Sequence, residues 1–305
     1  MSKLLIIGSN CFFGNSFINY KNKRDSEFNE INEIYLSTRK PNLFKKNFKN
    51  KLKKNFKIIN NNQITKILLN DVDKILYLIN SGQSKYEKNF LIRLCKIIKF
   101  NKFKIHFIYM SSGAVYGPNE KIKKIKETKS LKSNKIFLGY KNIYSVKKIE
   151  NENILKNYSS NLFRITILRG FSFYGRYMDY DKFAIGNFIK SIYEKKPIIL
   201  SKHNNTFRSF LFSDDMVSQI LKIFKFCKNK YAIYNFGSSN IIKIADLAKK
   251  LSNRYKLPLV ISGQYENTID FYIPDLNKIQ KVIPIKKEIN LITGINRILK
   301  EINSN

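Results

Sequence analysis

Short apolar runs of strand length alternate with longer stretches of helical periodicity along most of the chain. Lys3-Leu4-Leu5-Ile6-Ile7-Gly8 is the first such run; Glu33–Arg39, Phe56–Asn60, Lys74–Ile79, Lys104–Met110 and Asn161–Leu168 follow. Their hydrophobicity is continuous rather than alternating, the pattern of strands buried on both faces of a parallel sheet. Helical stretches open at Asn15 and cover Tyr86–Lys99 and Tyr144–Tyr158, while the Lys- and Asn-rich segment Lys40–Asn55 reads as a connection. Beyond Arg169 the pattern loosens. It predicts a helix at Phe183–Glu194, a strand pair near Ile198–Leu200 and Phe207–Phe212, and a helix after Asp214. A strand at Tyr231–Phe236, a helix from Ile244 and a terminal helix from Glu288 complete the reading. Strand and helix in alternation define an α/β protein with a doubly wound parallel sheet.

The junction after the first strand reads Gly8-Ser9-Asn10-Cys11-Phe12-Phe13-Gly14. Glycine at a strand-to-helix turn lets backbone approach a pyrophosphate, which the helix N-terminus then holds. The glycine pattern is incomplete, because its middle position is Cys11, read as a small apolar stand-in. The second strand ends in Ser37-Thr38-Arg39, with no acidic residue for a ribose 2′-hydroxyl. Those groups suit a 2′-phosphate, so NADP(H) is expected over NAD(H).

The richest stretch is Ser111-Ser112-Gly113-Ala114-Val115-Tyr116-Gly117, followed by Tyr144 and Lys148. Residues four apart share one helix face, so the Lys148 ammonium can sit beside the Tyr144 phenol and favour its ionised form. Ser112 can hydrogen-bond the same substrate oxygen. The trio is a device for moving a proton while a nicotinamide moves a hydride.

Composition narrows the picture. The formal charge is +35, from 57 Lys+Arg against 22 Asp+Glu, which would ordinarily suggest a nucleic acid or an anionic surface. The cations are mostly Lys, scattered with Asn and Ile through every segment, and Lys is the poorer residue for base readout. Anionic small ligands are the better match. Cys11, Cys95 and Cys227 have neither metal-ligand nor disulfide spacing, no apolar run reaches membrane-spanning length, and no signal segment is evident. A cytoplasmic protein without a metal site is expected.

With these residues in view, the chain resembles the extended short-chain dehydrogenases/reductases, in their NAD(P)-dependent nucleotide-sugar epimerase/dehydratase family. The resemblance rests on Ser111–Gly117, on Tyr144 and Lys148 with Glu152 following, and on Arg169-Gly170-Phe171-Ser172-Phe173-Tyr174-Gly175-Arg176. Arg208, Phe210 and Asp215, the stretch Phe183–Ile189, and Tyr272-Ile273-Pro274-Asp275 extend it over nearly the whole chain. It implies a Rossmann-like cofactor domain over 1–168, with 205–237 returning to it, and a smaller C-terminal α/β substrate-binding domain from 169–204 and 238–305. It implies catalysis by Ser112, Tyr144 and Lys148. Gly8, Asn10, Cys11, Phe12, Phe13, Gly14, Thr38, Arg39, Asn80 and Ser81 would line the cofactor together with Tyr144 and Lys148. Ser112, Ser172, Asn187 and Arg208 would meet a nucleotide-sugar, Arg208 suiting its diphosphate. The oligomeric state is left open, a homodimer included.

Dehydratases of this family carry an acidic pair just after the catalytic hydroxyl residue; here Gly113 and Ala114 stand there. Chemistry at C4 alone remains. Arg39, read as an NADPH residue, tips the expectation to a 4-ketoreductase serving deoxysugar or polysaccharide precursor synthesis, with a 4-epimerase as the alternative. A non-catalytic nucleic-acid-binding or redox-sensing relative is the remote third reading, disfavoured because both Tyr144 and Lys148 are kept.

Overall fold

A computed structural model of the 305-residue chain describes residues 2–48, 52, 55–79, 85–131, 140–200, 203–262, 264–284 and 287–303. The first half runs β1 (Ser2–Ile7), α1 (Phe12–Lys23), β2 (Ile31–Thr38), α2 (Pro41–Asn47), β3 (Phe56–Asn60), α3 (Lys66–Asp71), β4 (Lys74–Tyr77), α4 (Lys85–Phe100), β5 (Ile105–Ser112) and α5 (Tyr140–Tyr158). The second half runs β6 (Phe163–Gly170), β7 (Ser172–Tyr174), α6 (Ala184–Glu194), β8 (Ile198–Leu200), β9 (His203–Phe212), α7 (Ser213–Phe226) and β10 (Tyr231–Phe236). It closes with β11 (Ile241–Lys243), α8 (Ile244–Tyr255), β12 (Leu259–Ile261), β13 (Tyr265–Tyr272), α9 (Asn277–Gln280) and α10 (Leu291–Asn303).

Seven strands form the main sheet, in the order β10-β6-β5-β4-β1-β2-β3. Every pairing in it is parallel. This is the doubly wound, Rossmann-like architecture, with its order reversing between β1 and β4. Alternate side chains of each strand enter opposite layers. Leu4 and Ile6 join α1 and α7 residues such as Phe17, Met216 and Ile220 on one face. Leu5 and Ile7 join Leu91, Leu94 and Leu155 of α4 and α5 on the other. Both faces being covered explains why the strands read as unbroken apolar runs. Ligand sites in such sheets lie beyond the strand C-termini at the reversal, which is where β1, β4 and β5 end here.

The second layer differs from its expected form. β8 and the β9 segment do not pair with each other: β8 pairs in parallel with β12, and β9 lies between β11 and β13 with β7 also against it. β7, β11, β12 and β13 were not legible in the hydrophobic pattern, and neither were α2 and α3. Helix α6 packs on this layer through Ile185, Phe188, Ile189 and Ile192, spaced to share one face.

Candidate active site

The loop from β1 to α1 is built for close approach. Gly8 adopts φ 81°, and a Cβ there would stand 3.0 Å from the Ile79 amide. At Gly14 a Cβ would fall 2.0 Å from the Ser9 carbonyl oxygen, so no side chain fits between loop and helix. Amides of Gly8 and Ser9 both donate to the Ser37 carbonyl, pinning the loop to the end of β2. The first turn of α1 holds no acidic residue, and Cys11 at its N-cap makes no side-chain capping hydrogen bond. The helix end is therefore electropositive and open to an anion. Asn10 is exposed, Phe12 and Phe13 are half-buried, and Phe13 meets Phe173 edge-on. These residues fit the diphosphate of a dinucleotide. Asn80 and Ser81 lie outside the described residues.

Ser112 ends β5 with part of its surface open, and its Oγ accepts from the Ala114 amide at 3.1 Å. Tyr144 and Lys148 share a face of α5, with the Lys148 nitrogen 5.8 Å from the Tyr144 ring centroid and 4.7 Å from that of Tyr109. Lys148 is only 2% exposed and donates to the carbonyls of Met110 (2.9 Å) and Ile79 (3.4 Å) at the ends of β5 and β4. Burial pulls its pKa down to about 8, against the opposing pull of the Glu87 and Glu152 carboxylates. The expected pairing of Tyr144 with Lys148 beside the end of β5 is what the fold brings together.

Beneath them runs a buried polar chain. Ser111 donates to Glu152, which accepts from Arg169 Nη2 at 2.6 Å; Arg169 Nη1 donates to the Tyr116 oxygen at 2.9 Å. Tyr116 donates to Asn235 Oδ1 at 2.7 Å, and the Asn235 amide donates to Glu127 at 2.8 Å. The chain locks α5, the ends of β5, β6 and β10, and the loop before α5 into one frame.

The three further positions expected to meet substrate fall on three separate elements, β7, α6 and β9. Ser172 is half-buried on β7, and Asn187 is exposed on α6. Arg208, on β9, binds Asp270 Oδ2 at 2.5 Å and donates to the carbonyls of Phe207 and Asp270. Arg208, the residue expected to meet a diphosphate, thus carries a carboxylate partner that the sequence did not announce. Tyr272 was also missed as a site residue. The β13–β9 register sets it beside Arg208, whose guanidinium carbon is 5.6 Å from its ring, and the ring packs on Phe171 at 4.6 Å.

A glycine-turned dinucleotide loop and a Ser–Tyr–Lys group on one parallel sheet define the extended short-chain dehydrogenase/reductase class. More narrowly, the chain belongs to the NAD dependent epimerase/dehydratase family, whose profile matches residues 4–237, and it is an enzyme of that kind. It is 24% identical over 217 residues to Staphylococcus aureus protein CapI, a match covering 64% of this chain and 62% of that relative's length. Among solved structures, UDP-glucuronic acid 4-epimerase from Bacillus cereus superposes with TM-score 0.76 at 20% identity, over 99% of both chains. dTDP-glucose 4,6-dehydratase from Bacillus anthracis gives 0.76 at 18% identity, over 100% of this chain and 97% of that one.

Both of those structures were solved with NAD, and the NADP(H) expectation is corrected accordingly. The structure shows why Ser37-Thr38-Arg39 misled. The Ser37 hydroxyl is occupied by Asn61 Oδ1 at 2.5 Å, and Thr38 is only 5% exposed. Arg39 alone remains at the surface, its carbonyl held by Asn60. Exposed cations with no ordered hydroxyl donor beside them are not a phosphate cradle. Among the described residues, no helix is long and apolar enough to cross a membrane, and no cluster of His, Cys, Asp or Glu could hold a metal.

Proposed function

We propose that the protein is an NAD-dependent 4-epimerase of a nucleotide-linked sugar. The observation that carries this reading is the crowding at Gly113. A Cβ there would stand 2.6 Å from the Tyr272 oxygen and 2.9 Å from Phe171 Cε2, so the first position of the dehydratases' acidic pair has no room for a carboxylate, and the second is Ala114, which carries none. Glu127, a nearby carboxylate, is held by the Asn235 amide instead. Chemistry then stays at C4. Tyr144 takes the proton of the O4 hydroxyl and later returns it, and Ser112 donates to the same oxygen throughout. Lys148 holds positive charge beside Tyr144 and so favours the phenolate. NAD, when bound against the Gly8–Gly14 loop, would supply the hydride acceptor at C4. Arg208 would receive the diphosphate, with Ser172 and Asn187 along the sugar-nucleotide path.

The 4-ketoreductase expectation drew on Arg39 as an NADPH residue, and that support is gone. A redox-neutral epimerisation uses a single retained cofactor, which suits the NAD-type site. The test is turnover of UDP-glucose, UDP-galactose and UDP-glucuronic acid by wild type and Tyr144→Phe. Epimer formation from either side without net change in reduced cofactor, lost in Tyr144→Phe, supports the reading. Stoichiometric oxidation of a reduced cofactor by a nucleotide-linked 4-keto-6-deoxy sugar would overturn it in favour of the reductase. A 4-keto-6-deoxy product from an ordinary hexose would overturn the Gly113 argument itself.

A further inference from the structure

Tyr272 has no part in the chemistry just described, yet it reaches the catalytic serine from the opposite domain face. Three observations locate it. Register with Arg208 on the neighbouring strand sends both side chains to the same side of the sheet. Its oxygen lies 3.4 Å from the Gly170 carbonyl, at the end of β6 directly paired with Ser112. That same oxygen stands where a side chain on Gly113 would be, one residue from Ser112. Burial raises the phenol, the charge of an ionised Tyr144 raises it further, and a hydrogen-bonding interaction with the Ser112 hydroxyl opposes them. Tyr272 is thus a neutral phenol that keeps its proton, within reach of Ser112.

Ser112 is a hydroxyl with one proton and two acceptor positions. Its Oγ already accepts from the Ala114 amide. Left alone, that hydroxyl can rotate its proton toward Tyr272 as readily as toward substrate. We infer that Tyr272 is a positioning residue for catalysis: with the sugar bound, its phenol donates to Ser112 Oγ and leaves the serine proton no target but the substrate O4. This inference rests on the C4 reading above. The change is inexpensive, because the bond that Tyr272 gives up, to Gly170, is long at 3.4 Å. The gain is a serine fixed as donor, in a chain of hydrogen bonds that polarise one another. Nothing is transferred to or from Tyr272; one O–H changes its hydrogen-bond acceptor from the Gly170 carbonyl to Ser112 Oγ, and no covalent bond is broken.

The test is a double-mutant cycle on kcat and KM with whichever sugar of the UDP-glucose, UDP-galactose and UDP-glucuronic acid panel the wild type turns over. Tyr272→Phe keeps the ring on Phe171 and removes only the hydroxyl. It should lower kcat about five- to tenfold, the worth of one hydrogen bond, with KM and melting temperature little changed. In a Ser112→Ala background the same change should have no further effect on kcat, since its route of action is gone. A merely structural Tyr272 would instead lower the melting temperature and act equally in both backgrounds, and that result overturns the inference. So does a Tyr272→Phe enzyme as fast as wild type while Tyr144→Phe is inactive; the C4 reading then stands without it. If no sugar is turned over, or Tyr144→Phe is as fast as wild type, the C4 reading fails and this inference fails with it.

Discussion

Replacing Glu152 with Gln should destabilise the protein far more than a surface ion pair would. Glu152 is 2% exposed and Arg169 3%, and their guanidinium–carboxylate contact is bidentate in character, with Nε at 3.2 and 3.3 Å from the two carboxylate oxygens and Nη2 at 2.6 Å. The pair pushes the Arg169 pKa up still further, so the guanidinium cannot escape by losing its proton. Gln at 152 keeps the shape and removes the charge, leaving Arg169 buried and uncompensated. Breaking a buried pair in this way costs about 3–5 kcal/mol. For 305 residues, an unfolding entropy of about 2.1 cal/mol/K per residue converts that into a melting-point loss of roughly 5–8 °C. Removing both charges together, as Glu152→Met with Arg169→Met, should cost much less, because no charge is stranded and Tyr116 keeps its bond to Asn235. Thermal unfolding of the two variants beside wild type decides the matter. A single-variant loss under about 1 kcal/mol, or a double variant worse than the single, would refute the reasoning and mean that water relieves the charge.

Activity should fall as pH rises through about 8, where Lys148 loses its proton and with it the charge beside Tyr144; kcat/KM reports this free-enzyme group, and a Lys148→Met profile should lack that limb. The folded protein binds this proton less tightly than the unfolded chain does. The group's cost to stability is therefore complete below about 8 and relieved as pH climbs toward 10.5, which chemical denaturation across that window would register. Arg208→Ala should weaken UDP binding about ten- to a hundredfold by calorimetry, the worth of a charge-assisted contact. Asp270→Asn should strengthen it several-fold by freeing that arginine, and weaker binding would mean that Asp270 orients Arg208 rather than competing for it. Gly113→Asp should abolish turnover without yielding a dehydrated product, since the new side chain meets Tyr272 and Phe171 before it meets substrate.

What the sequence made legible was local in origin. The strands of the main sheet announced themselves because burial on both faces leaves an unbroken apolar run, and Tyr144 and Lys148 because helical spacing alone puts them together. The features that stayed hidden are products of long-range register. β13 carries Tyr265-Glu266-Asn267-Thr268-Ile269-Asp270, a polar stretch with no strand signature, and becomes a strand only by pairing with β9. Asp270 and Tyr272 meet Arg208 through that pairing, across a separation no spacing rule covers. The NADP(H) reading of Arg39 failed for the converse reason. Its neighbours in sequence suggested a phosphate cradle, but a cradle needs several donors aimed at one point, and the fold spends Ser37 on Asn61 and turns Thr38 inward. The remaining guanidinium is exposed, where a lone charge contact is worth little in salt. Arg39→Ala should accordingly leave NAD affinity within about twofold of wild type by calorimetry, and a loss of tenfold or more would return Arg39 to the cofactor site.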